Sequence, residues 1–188
     1  MASEISDLLR RATATAVPVV QGITEDQFPA ATPCADYDVR TLLNHLFHMV
    51  VSFRSLARRE PMDMSTTPDY LTGDWRARFQ AEADQTVQAW SEPSALEGVS
   101  AGMGLPQPVI AQMLLLDLTV HSWDLAAATG QPHHPDPEVA DVLYRTFSEM
   151  APTARQTGAF GEPVEVPRDA PAFQRLLGVS GRNPGWSR

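Results

Sequence analysis

Apolar residues recur at helical spacing along the first stretch of the chain, at Ile5, Leu8, Leu9, Ala12, Ala16, Val19, Val20 and Ile23. That rhythm marks one buried helical face. It predicts a helix over 3–23, with Pro18 expected to kink or shorten its end. Residues 24–37, rich in Pro, Ala, Thr and Asp, read as a loop. Asp38 is then placed as the N-cap of a second helix over 39–59. Its buried stripe is Leu42, Leu46, Met49, Phe53 and Leu56, with His45 beside it. A loop over 61–68 precedes a third helix over 69–91, marked by Trp75, Phe79, Ala83, Val87 and Trp90. After a Gly/Ser/Pro stretch at 92–106, a fourth helix starts near Pro106, a residue suited to a first turn. It runs to Ala128, with Gly130 placed to end it. The proline-rich connector 131–137 leads to a fifth amphipathic helix over 138–152. The tail reads as extended over 160–167, with a short helix over 171–178. No sustained period-two alternation and no repeat is visible elsewhere. The fold class expected is all-α: one domain over 1–188, an up-down four-helix bundle with a short extended tail and a small helix.

The fourth helix breaks its own apolar pattern. Within Leu114-Leu115-Leu116-Asp117-Leu118-Thr119-Val120-His121-Ser122-Trp123-Asp124-Leu125 a carboxylate and an imidazole stand four residues apart. Side chains at i and i+4 share a face, their Cβ atoms about 5–6 Å apart, so Asp117 and His121 can reach one metal ion. A charge in such surroundings is costly unless paired or coordinated. The plain alternative is a buried pair satisfying itself by a hydrogen bond. His45, from another helix, supplies a third N/O donor, and His48, at i+3 on nearly the same side, could replace or support it. Two histidines and a carboxylate suit an open zinc site or non-heme iron, and three protein donors leave a position for water or substrate. Asp124, His48 and Asn44 are candidates to orient those ligands by hydrogen bonds. Of the other histidines, His134 has Glu138 at i+4, but Pro135 and Pro137 intervene. Trp123 reads as a packing residue.

Composition narrows the classes. The net charge is −9 and basic residues do not cluster, which argues against binding nucleic-acid phosphates. Cys34 is the only cysteine, so an intrachain disulfide and a Cys-pair zinc site are excluded. Asp36 and Asp38 oppose a reactive thiolate there. The longest apolar runs, near 46–51 and 113–116, are far short of the roughly 20 residues that span a bilayer. With no visible signal peptide, a cytoplasmic protein with no membrane partner is expected.

Three segments resemble a known group. Thr32-Pro33-Cys34 through Asp38-Val39-Arg40 to Asn44-His45-Leu46 resembles the "TPC-x-x-W-x-V-R-x-L-x-x-H" opening of actinobacterial proteins of the DinB/YfiT-like superfamily. These are related to the mycothiol-dependent maleylpyruvate isomerase N-terminal domain. Asp117 through His121, Trp123-Asp124-Leu125 and Thr129-Gly130-Gln131 is similar to the group's "E-x-x-x-H-x-W-D-L-A-x-A-T-G-Q". The stretches Phe160–Pro167 and Asp169–Leu177 resemble its usual tail. The resemblance implies a four-helix bundle holding one divalent metal on His45, Asp117 and His121. Zn2+ is the first choice, Ni2+ or Fe2+ the others. Family members commonly carry Glu where this chain has the shorter Asp117, which raises the question whether the carboxylate still reaches the metal.

Relatives include thiol-dependent isomerases and S-transferases, so the resemblance implies a small-molecule substrate and mycothiol as co-substrate. The isomerase has an additional C-terminal domain, and only a short tail follows the bundle here. Maleylpyruvate isomerisation itself is therefore not carried over. The expectation is a metal-dependent S-transferase or isomerase acting on a small electrophile. The alternatives are a metal-activated hydrolase, or a non-catalytic bundle that binds a metal or small molecule or associates as a homodimer.

Overall fold

The computed structural model describes residues 2–60, 66–100 and 103–187, the side chains of Ala2 and Ser3 excepted. The helices are α1 Ala2–Gly22, α2 Val39–Ala57, α3 Trp75–Ser91, α4 Gln107–Thr129, α5 Pro137–Gln156 and α6 Ala172–Val179, with single 3-10 turns at Glu25–Gln27 and Pro93–Leu96. Among the described residues there is no strand. Isolated bridges between Ala31 and Asp38 and between Val99 and Pro106 pinch two loops. Part of the loop expected over 61–68, residues 61–65, lies outside the described residues, as do 101–102 of the stretch 92–106.

Side-chain chemistry sets the helix ends. Asp38 accepts a hydrogen bond from the Thr41 amide at 2.7 Å, capping α2 as expected. Asp136 accepts from the Glu138 and Val139 amides and starts α5. Gly130 ends α4 in the left-handed conformation, φ 71°, which glycine adopts without a Cβ clash. The third helix begins six residues later than predicted because 69–74 is held by other bonds. The Asn44 side chain accepts from the Tyr70 amide, Arg78 donates to the Tyr70 and Thr72 carbonyls, and Asp74 caps at Ala77. Helix α1 passes Pro18 and α5 passes Pro152. Both prolines are exposed, so water can serve the carbonyl each leaves unpaired.

The predicted bundle is present: α1 and α2 each pack against both α3 and α4, so α1 lies diagonally across from α2. The long segments 23–38 and 92–106 make those diagonal crossings possible, an order the hydrophobic pattern did not disclose. Helix α4 also meets α5, and α6 packs on α5. Enclosed by three neighbours, α4 is buried nearly all round, from Ile110 and Leu114 to Leu125 and Ala128. Helices apolar on every side occupy such interior places. Asp117, His121 and Asp124 thus ride on the most enclosed helix.

The connector after α4 turns back onto it. His133 Nε2 lies 3.0 Å from Ser122 Oγ, and its ring packs near Phe173 of α6, which Trp123 also touches edge-on. Trp123 is therefore a packing residue, as expected. Burial first, then His134, lowers the His133 pKa to about 4, against the opposing effect of Asp124.

Two predictions follow from these contacts. Asp38→Ala should cost about 1 kcal/mol and lower the melting temperature by about 2–4 °C, while Asp38→Asn should stay near the parent in a thermal melt. Equal loss in both would show that the cap contributes nothing. Folding favours neutral His133, so its contribution is complete above the unfolded value near 6.5 and is lost as pH falls toward 4. Melts between pH 7 and 4 should therefore decline less steeply for His133→Gln than for the parent. An unchanged slope would contradict that assignment.

Candidate metal centre

Two elements bring the three expected ligands together. His45 comes from α2, and Asp117 and His121 from successive turns of α4. The His45 and His121 rings meet edge to face, centroids 5.2 Å apart. Asp117 Oδ1 lies 3.9 Å from His121 Nε2. Donors on one tetrahedral ion with bonds of about 2.0–2.2 Å sit roughly 3.3–3.6 Å apart. The carboxylate and imidazole therefore need only a small adjustment to share an ion.

The other face of His121 is fixed. Its Nδ1 is 3.0 Å from Asp124 Oδ2, and the same oxygen accepts a hydrogen bond from Arg182 at 3.2 Å. Asp124 is fully buried. A guanidinium donates only and a carboxylate paired with it accepts only, an arrangement that suits an imidazole offering its Nδ1–H. In the neutral ring that leaves the Nε2 lone pair facing Asp117. An ionised carboxylate and a lone pair facing each other call for a cation between them, either a proton or a metal ion. The donor types of His45, Asp117 and His121 suit a divalent metal, while the donors that close to within 4.8 Å of one another are Cys34, His121 and Asp124. A carboxylate behind a ligating histidine is the usual means of fixing its tautomer.

A local turn presents two more groups. Thr32 Oγ1 donates toward the Cys34 and Tyr37 carbonyls and accepts from the Cys34 amide, and the Tyr37 amide donates to the Cys34 carbonyl. The Thr-Pro-Cys segment is thereby closed into a compact loop over the site. Tyr37 stacks on His45 with centroids 5.5 Å apart. Cys34 Sγ lies 3.5 Å from the Arg182 guanidinium. One donor atom each of Cys34, His121 and Asp124 falls within 4.8 Å of the others, the one set of three such donors among the described residues that does so. Arg182 already supplies the positive charge there, contacting both the carboxylate and the sulfur. On the Nε2 side Arg182 lines the cleft beside Asp117 and acts on its charge at longer range.

Burial shapes the titrations. It lowers His45 to about 4, with His121 and His48 adding to the effect, so the imidazole is neutral and able to ligate. It raises Asp117 to about 6, His121 and Arg182 opposing. It also pushes the Cys34 thiol up, more than Arg182 pulls it down. The direction agrees with an unreactive cysteine. The main cause is burial, which the sequence did not reveal.

Two of the expected supporting residues face elsewhere. Asn44 donates to the Pro68 carbonyl and accepts from the Tyr70 amide. Its amide braces the segment before α3. His48 Nδ1 lies 3.2 Å from the Tyr70 hydroxyl, with Ser52 at 3.5 Å. Asp124 is the candidate that does touch one of the three, His121. Glu138, the partner considered for His134, pairs with Arg11 at 2.7 Å. Arg182 was missed. It lies 58 positions from Asp124, beyond the end of α6 at Val179, where no helical rhythm continues.

A cleft with about 40 Å³ of free space opens beside Asp117 and His121, walled by Leu116, Val120, Phe160 and Arg182. That holds an ion or a water, so a larger substrate must approach from the open side. Two roomier grooves lie elsewhere, one by Leu8 and Leu96, the other by Tyr144 and Arg175, and none of the residues above lines them.

Comparison with known proteins places these residues in a family. Residues 9–126 match the family described as mycothiol maleylpyruvate isomerase N-terminal domain. Two uncharacterized proteins of Mycobacterium tuberculosis, from strains CDC 1551 / Oshkosh and ATCC 25618 / H37Rv, are each 28% identical over 183 residues. The alignment covers 92% of this chain and 94% of each relative. No solved structure matches. The matched stretch contains Cys34, His45, Asp117, His121 and Asp124, and stops short of Arg182. With well over half its length matched, the chain belongs to the mycothiol maleylpyruvate isomerase N-terminal domain family.

Proposed function

We propose that this protein is a metal-dependent enzyme that uses mycothiol, a low-molecular-weight thiol, to act on a small electrophile as an S-transferase or isomerase. The observation that carries the reading is the orientation of His121. Asp124 takes its Nδ1–H at 3.0 Å, and Nε2 is turned toward Asp117 at 3.9 Å with the His45 ring alongside. Membership in a mycothiol-related family supports the choice of thiol.

His45, Asp117 and His121 would hold the ion, Zn2+ first, with Ni2+ and Fe2+ as alternatives. A bound divalent cation lowers the pKa of a thiol placed on it, making a thiolate nucleophile at neutral pH. The chain supplies the setting. Asp124 keeps the His121 proton on Nδ1. Tyr37 stacks against His45 and limits its rotation. Leu116, Val120 and Phe160 line the approach and restrict water near the reacting centre, which strengthens electrostatic interactions there. Among the described helices none is long and apolar enough to cross a membrane, in keeping with a small-molecule substrate met in water.

Elemental analysis should find one divalent metal per chain in the parent and almost none in Asp117→Ala or His45→Ala. Zn2+ at about a hundred times its dissociation constant should stabilise the metal-free parent by about 2.7 kcal/mol, raising its melting temperature by roughly 5–10 °C. The variants should gain almost nothing. A parent that purifies without metal and gains no stability from Zn2+, Ni2+ or Fe2+ would overturn the metal reading. With metal bound, consumption of a conjugated-alkene or haloalkyl electrophile should require mycothiol. Turnover that proceeds equally well without thiol would instead identify a hydrolase.

A further inference from the structure

Arg182 reaches the site from outside the stretch that defines the family. After α6 the backbone turns sharply at Gly181, φ 88°, where an added Cβ would meet Gly161 Cα at 2.7 Å. The turn is closed by the Arg182 amide donating to the Leu177 carbonyl at 2.8 Å. The Arg182 side chain then runs inward, only 8% exposed. One nitrogen donates to the Ser180 carbonyl at 3.1 Å, while the other contacts Asp124 Oδ2 at 3.2 Å and Cys34 Sγ at 3.5 Å. A buried arginine whose contacts end on the carboxylate behind His121 is an expensive feature for a tail with only a packing role.

We infer that Arg182 is a positioning residue for the metal site: it holds Asp124 against His121 Nδ1 and so keeps the His121 Nε2 lone pair turned toward Asp117 and His45. The guanidinium cannot accept a hydrogen bond, so while it occupies Oδ2 the bond between Asp124 and His121 has one sense, ring to carboxylate. Without it the carboxylate is free to rotate and the direction of that bond is no longer fixed. The segment following α5 thus becomes part of the site, linked through Arg182, Asp124 and His121 in series. The inference rests on the metal site proposed above, but its first readout needs no metal.

The test is 15N NMR of the imidazole nitrogens in metal-free, 15N-histidine-labelled protein at pH 8, followed by Zn2+ titration. His121 in the parent should be the Nδ1–H tautomer. Arg182→Met and Asp124→Asn should shift it toward a mixture, and Arg182→Lys should recover most of the parent signal. Zn2+ affinity should fall about 10- to 100-fold in Arg182→Met, with partial rescue in Arg182→Lys. In an Asp124→Asn background, Arg182→Met should cause little further loss, because both act on one contact. A purely structural arginine would lower stability without moving the tautomer. If Arg182→Met does not fold, Arg182→Gln gives the same comparison. A folded variant with the parent tautomer and parent Zn2+ affinity overturns the inference. A parent that binds no Zn2+ overturns the metal site, while the tautomer comparison still decides whether Arg182 positions His121.

Discussion

A carboxylate with no solvent exposure, in the middle of the most enclosed helix, is the constraint around which this molecule is arranged. Asp124 can stand there only if its charge is answered. The answer comes from two directions: His121 on the same helix, and Arg182 delivered by the tail. Removing one partner of such a buried group typically costs about 3–5 kcal/mol. The bundle, the connector after Gly130 and the packing of α6 therefore share a dependence on this one contact. The same contact sets the chemistry, because it decides which nitrogen of His121 is left to face Asp117.

Seen this way, stability and function use the same residues. Helix α4 is buried on nearly every side, which makes its polar groups costly and fixes their geometry. Helix α2 needs its Asp38 cap to begin on time, and its register then places His45 against His121. The loop closed by Thr32 carries Tyr37 onto His45 and Cys34 toward Arg182. Three parts of the chain distant in sequence converge near one imidazole, and His121 is held at Nδ1 by Asp124. Such rigidity suits the proposed cation site.

Much of this was legible in the sequence. The helical rhythm gave the bundle, Asp38 gave a helix start, and the i, i+4 pair on an otherwise apolar helix singled out Asp117 and His121. The role of Asp124 behind His121 followed from one further turn on the same face. Other parts depend on the path of the chain in space. The diagonal placement of α1 and α2 depends on where long loops cross, which periodicity does not encode. Asn44 and His48 lie near His45 in sequence, yet hydrogen bonds to the Pro68–Tyr70 segment draw both away. Arg182 follows a glycine turn beyond the end of α6, so only the fold could bring it to Asp124. The shorter acid in place of the family's glutamate sets Asp117 Oδ1 3.9 Å from His121 Nε2 on its own helix.

X-ray absorption at the zinc edge of the Zn2+-loaded protein, without added thiol, tests the central claim most directly. If His45, Asp117 and His121 hold the ion, the spectrum shows nitrogen and oxygen neighbours at about 2.0–2.2 Å, an imidazole pattern from two rings, and no sulfur. A sulfur neighbour at about 2.3 Å would put the ion at Cys34, on the side of His121 now occupied by Arg182, and would contradict the account.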